Sequence, residues 1–163
     1  MEISQTIVKA AYQSLGYFII EGIKVGIREI DFLAVKLTNG KNVEERLHIE
    51  SQISTNPIAP LRGQGKIKGA HNDVRAAAED YVNKKYKNKK VVEVVKKYFG
   101  NNNYDKVLVY GKLNRPEQLE MFNKLGVKTI AISELVNKAM AACPTHDLNG
   151  IISVYKVIDK REM

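Results

Sequence analysis

Apolar residues recur at Ile3, Ile7, Ala11 and Leu15, the spacing of one face of a helix, and Gly16 closes that stretch. The next nine residues, Tyr17 to Val25, read as a strand. Glu21 interrupts it, Gly22 is a candidate bulge, and Gly26 turns the chain. From Arg28 to Ser54 two apolar or alternating arms flank Asn39-Gly40, the pattern of a β-hairpin. Residues 55–71 carry prolines, glycines and basic residues without a hydrophobic period and read as a loop. Two helical stripes follow, Val74, Ala77, Ala78, Tyr81 and Val82, then Val91, Val94, Val95, Tyr98 and Phe99, with KKYKNKK between them. Periodicity leaves open whether they form one helix or two. Tyr104 to Leu113 reads as a strand, Arg115 to Leu125 as a helix with Pro116 in its first turn, Val127 to Ile132 as a strand, and Ser133 to about Ala142 as a helix. Ile151 to Val157 is a candidate edge strand. The alternation of strands and helices in the second half predicts parallel pairing with helices on the sheet. The expected architecture is a single α/β domain over residues 1–163, with a mixed central sheet flanked by helices in the order α-β-β-β-α-β-α-β-α. Its core spans about 1–142, and 143–163 form a C-terminal extension.

The hairpin carries the chemistry. Strand side chains alternate faces, so Glu29, Asp31, Leu33 and Val35 are expected on one face of the first arm. On the second arm His48, Glu50 and Gln52 share a face, and Leu47, Ile49, Ser51 and Ile53 take the other. A carboxylate inside an apolar strand is costly without a partner or a metal. Asp31 and Glu50 lie on paired arms and can meet across the hairpin, where they repel unless a cation sits between them. Oxygen ligands of this kind suit Mg²⁺ or Mn²⁺. The plainer expectation is that each pairs with Arg28, Arg46 or a lysine. His48 is read as a strand residue beside the site rather than a ligand. Glu21 is read as solvent-facing, with a metal role as the lesser alternative.

Charge adds a partner. The 163 residues carry a net charge of +8, and residues 62–97 hold eleven Lys or Arg against four acids, a net +7. A basic segment of this kind favours a polyanion such as nucleic acid, against the alternative of a solvated helix face. Arg62, Lys66 and Lys68 in the loop, with Lys84 and Lys85 on the following helix, are the candidate phosphate contacts. His71 is a lesser candidate for the same role. Gly63, Gly65 and Gly69 do not have dinucleotide spacing, and Gly65-Lys66 lacks the frame of a phosphate-binding loop. There is no GxSxG, and His48, His71 and His146 lack HExxH spacing. Cys143 stands alone, so an internal disulfide and a multi-cysteine zinc site are excluded. No apolar run approaches ~18 residues and no leader pattern opens the chain, so no membrane role and a cytoplasmic location are expected.

Ile30-Asp31 on one strand and Glu50-Ser51-Gln52 on the next, behind a helix and a first strand, resemble the signature of the PD-(D/E)xK nuclease superfamily over roughly residues 1–135. Ile30 stands where proline is common, and Gln52 where lysine is usual. The resemblance implies a restriction endonuclease-like core and a Mg²⁺-dependent (or Mn²⁺-dependent) endonuclease of the resolvase or restriction type, acting on DNA as a homodimer. It further implies Asp31, Glu50 and the backbone carbonyl of Ser51 as metal ligands. Gln52 would orient the attacking water or the phosphate, and Lys66 or Lys68 would supply the charge a neutral amide lacks. Resolvase-like members often add an acid from the first helix, for which Glu2 and Gln5 are the candidates. The alternatives are an inactive nucleic-acid-binding accessory module on the same fold, and a general α/β binding domain with no nucleic-acid role.

Overall fold

Asn39 and Gly40 both take positive φ, 52° and 68°, and so close the hairpin between the two longest strands. The computed structural model describes residues 3–53, 70–111 and 117–142, with the side chains of 70–73 left aside. The elements are α1 (Ile3–Ser14), β1 (Tyr17–Val25), β2 (Arg28–Thr38), β3 (Asn42–Gln52), α2 (Ala70–Lys85) and α3 (Lys89–Phe99). They continue with β4 (Asp105–Tyr110), α4 (Glu117–Lys124), β5 (Val127–Ala131) and α5 (Ile132–Ala142). The five strands form one mixed sheet in the order β1-β2-β3-β4-β5. The first three pair antiparallel, and β4 and β5 join parallel to β3. The chain is therefore an α/β protein with helices on both faces. Among the described residues no helix is long and apolar enough to cross a membrane. Arg62, Lys66, Lys68, Glu2 and the expected strand at 151–157 lie outside the described residues.

Two helices, not one, link β3 to β4. The cause lies outside the local sequence: the Tyr86 ring is fully buried and its hydroxyl donates to the Val107 carbonyl of β4 at 2.6 Å. The chain turns there, and Asn88 caps α3 by accepting from Lys90 N at 3.1 Å. Gly100, at φ 76°, ends α3 with its N–H on the Lys96 carbonyl. Tyr86→Phe is expected to cost about 1 kcal/mol, the net worth of one buried hydrogen bond, read as a lower urea midpoint at unchanged slope.

The core has two sides. α1 and α5 cover one face with Ile7, Val8, Ala11, Leu135 and Val136 against Phe32, Ala34, Leu47, Ile49, Val107 and Val109. On the other face α2 and α4 set Ala78, Tyr81, Val82 and Phe122 against Leu108 and Val127. There α3 sets Val91 and Val95 against Ile23, Val25, Ile30 and Leu33. Ile30 and Leu33 share a cluster although they are an odd number of residues apart, while Phe32 and Ala34 lie on the α1 side. The expected strict alternation along β2 thus breaks at Asp31. In β1 the change of side falls at Gly22, between Glu21 and Ile23, with φ 64°, a value that favours glycine.

Candidate active site

Asp31 sits where the β2–β3 ladder ends. Register runs as far as Phe32↔Ile49, and beyond it the Asp31 carboxylate takes the place of a backbone acceptor. Its Oδ2 accepts the Ser51 N–H at 2.8 Å and the Ser51 hydroxyl at 3.1 Å. Glu50 is fully buried on β3, between β2 and β4, in register with Leu108. A buried carboxylate survives only with partners. The His48 Nε2–H donates to Glu50 Oε1 at 2.9 Å, and the Lys85 ammonium lies 2.8 Å from Oε2. The latter contact is an ion pair, and Oε2 has no hydrogen bond of good geometry. Of the plainer expectation, Arg28, Arg46 or a lysine, it is the lysine that meets Glu50, in the form of Lys85.

His48 is itself fully buried, its ring 4.8 Å from that of Tyr86 and 6.4 Å from that of Tyr104. Among the described residues its Nδ1 has no hydrogen-bond partner, and neither does the buried Tyr81 hydroxyl. Burial, then the charges of Glu50 and Asp31, push the Tyr81 phenol well above its ordinary range, which places that hydroxyl in the field of both carboxylates. Burial and the neighbouring Glu50 charge raise the Asp31 carboxyl from 3.8 to about 6, against the opposing pull of the Ser51 N–H and Lys85. Burial lowers the Lys85 ammonium, but the attraction of Glu50 and Asp31 outweighs it, and the net direction is upward. The site thus sets two carboxylates near each other with one lysine beside them.

The remaining expected residues fall as follows. Gln52 ends β3, half-buried, and its carbonyl accepts the Gly111 N–H at 3.2 Å. Ser51 contributes its N–H and hydroxyl to Asp31. Glu21, its side chain 34% exposed, accepts from Lys9 of α1 at 2.9 Å, on the sheet face away from Lys85. Gln5 is half-buried on α1, the helix of that same face. Lys84 is exposed and pairs with Asp80 at 2.8 Å along α2. Lys85, expected to meet nucleic acid from the surface, instead points into the carboxylates. The signal for this was in the sequence, since Lys85 continues the buried stripe of Val74, Ala78 and Tyr81.

Among the described residues no group of three or more His, Cys, Asp or Glu is arranged to hold a metal. The donor set nonetheless fits Mg²⁺, which keeps several waters and binds through one or two carboxylates. The chain matches no protein-family model, and comparison with curated proteins and with solved structures yields no significant match.

Proposed function

We propose that the chain is a metal-dependent DNA endonuclease built on a restriction endonuclease-like core and acting in the cytoplasm. The observation that supports this best is the convergence of Asp31, Glu50 and Lys85 at the end of the β2–β3 ladder. Asp31 and Glu50 would hold Mg²⁺ or Mn²⁺, with the Ser51 carbonyl as a further oxygen, and such a metal would supply a water of lowered pKa and polarisation of the scissile phosphate. His48 fixes Glu50 through Oε1, and the Ser51 N–H and hydroxyl fix Asp31, so neither carboxylate has to be ordered when substrate arrives. Gln52, at the mouth of the strand, orients water or phosphate through its amide.

The substrate assignment rests on charge. Lys87, Lys89, Lys90, Lys96 and Lys97 are all exposed on the α2–α3 corner and α3, the elements that follow Lys85. Together they offer a basic surface to a phosphate backbone. A homodimer would bring two such sites to the two strands of a duplex.

A second reading, an inactive accessory module, is favoured by one observation: Glu50 is already neutralised by Lys85, and Gln52 brings no charge. A panel of plasmid, linear duplex, four-way junction and single strand, with Mg²⁺, Mn²⁺ or EDTA, separates the two. Metal-dependent cutting supports the nuclease. Salt-sensitive binding with no cutting in either metal rejects it in favour of the module.

A further inference from the structure

The most unusual contact in the molecule is the one that occupies the candidate metal ligand. Glu50 is 1% exposed at its side chain, whereas the Lys85 side chain that pairs with it is 34% exposed. The buried carboxylate is thus met by a side chain that is itself partly open to solvent. The two oxygens of Glu50 are held differently. Oε1 is hydrogen-bonded by a fully buried histidine, while Oε2 is held by charge alone. One hold is fixed and the other can be exchanged.

The attachment of Lys85 suits such an exchange. It is the last residue of α2, and Tyr86 directly after it is anchored through its hydroxyl to the Val107 carbonyl. The base of the lysine stem is thereby fixed, and its four methylenes leave the ammonium free to re-aim over several ångströms. Gln52 offers no cation from the strand. A divalent cation at Glu50 would displace the ammonium by like-charge repulsion and leave it beside the same site, next to whatever anion that site receives.

We propose that Lys85 is an exchangeable counter-ion, which neutralises Glu50 while no divalent cation is bound and donates to a substrate phosphate oxygen once a cation has taken Glu50. This rests on the phosphodiesterase reading above for its second half; the first half concerns cation binding alone. A lysine that only braces the fold would make every property worse when removed. An exchangeable one gives effects of opposite sign, because it competes with the metal and assists the substrate.

The test uses the full chain with Mn²⁺ alone by titration calorimetry, and separately DNA cleavage under saturating Mn²⁺. Lys85→Met is expected to bind Mn²⁺ about tenfold more tightly than wild type, and to cleave roughly a hundredfold more slowly in kcat with little change in KM. Lys85→Arg, whose planar fork holds a carboxylate through two bonds, is expected to bind Mn²⁺ more weakly than wild type and also to cleave slowly. Adding Gln52→Lys to Lys85→Met is expected to restore much of the rate. Thermal melts establish that each variant is folded, and Lys85→Arg keeps the question open to test if Lys85→Met does not fold. Unchanged or weaker Mn²⁺ binding in folded Lys85→Met overturns the exchange, as does wild-type Mn²⁺ affinity in Lys85→Arg. Full cleavage by Lys85→Met overturns the phosphate role while the nuclease reading stands. Mn²⁺ binding by a wild-type chain that cuts nothing overturns the nuclease reading and the phosphate role together, and leaves the counter-ion exchange to be judged by the affinities.

Discussion

Asp31→Asn is expected to stabilise the protein at pH 8 by about 2 kcal/mol while removing metal-stimulated cleavage. Burial and the Glu50 charge lift the Asp31 carboxyl from 3.8 to about 6 in the folded state. The folded protein thus binds the Asp31 proton more tightly than the unfolded chain does. Stability from this group is fully present below about pH 4, is lost as pH rises to about 6, and stays lost above. Asparagine never ionises, and its carbonyl oxygen can still accept the Ser51 N–H. Urea melts at pH 4 and pH 8 check this: the variant and wild type should nearly coincide at the lower pH and separate at the higher one. Mn²⁺ should raise the wild-type midpoint at pH 8 and not the variant's, since only the ionised carboxylate binds it. A variant weaker than wild type at pH 8 would mean that Asp31 is chiefly a structural partner of Ser51.

Glu50→Gln is expected to slow cleavage roughly 10³-fold, with nearly unchanged affinity for DNA. A bound metal contributes several kcal/mol of transition-state stabilisation, and each ~1.4 kcal/mol is a factor of ten in rate. The amide keeps the volume and the His48 contact of Glu50 but loses the charge that, on the proposed function, would hold a divalent ion. DNA affinity should hold because, on the proposed function, it would come from the exposed lysines of α3 and the α2–α3 corner. Glu21→Gln is the control: it breaks only the bond to Lys9 and should leave the rate as it was. Cleavage that survives in Glu50→Gln would place the chemistry elsewhere.

Local patterning made most of the elements readable. The helical stripe of α1, the Asn39-Gly40 turn and the strand-helix alternation of the second half all depend on near neighbours in the chain, and they appear as expected. The facing of Asp31 did not follow from alternation. β2 changes side at Asp31, opposite Gly22, a backbone feature that the period of two cannot express. The break between α2 and α3 depends on a hydrogen bond from Tyr86 to a strand 21 residues away in sequence, and no local period records it. Asp31 and Glu50 could be singled out because carboxylates in apolar strands are unusual. Lys85 could have been read from its place on the α2 stripe, but a lysine in a basic run is first taken for surface. Burial of His48 beside Tyr86 and Tyr104 depends on tertiary packing, and alternation could show only which face it shares.

The two sides of β3 are made over very different lengths of chain. On one side it pairs with β2 across a hairpin turn; on the other, Leu47 lies beside Asp105, more than fifty residues later. Closing a short turn takes far less entropy than closing that span. The antiparallel meander can thus assemble early, with Glu50 still wet along its open edge, and only the docking of β4 and α2 strips water from the carboxylate. The desolvation of Glu50 thus belongs to the late, long-range step of assembly, the one that closes the larger span of chain.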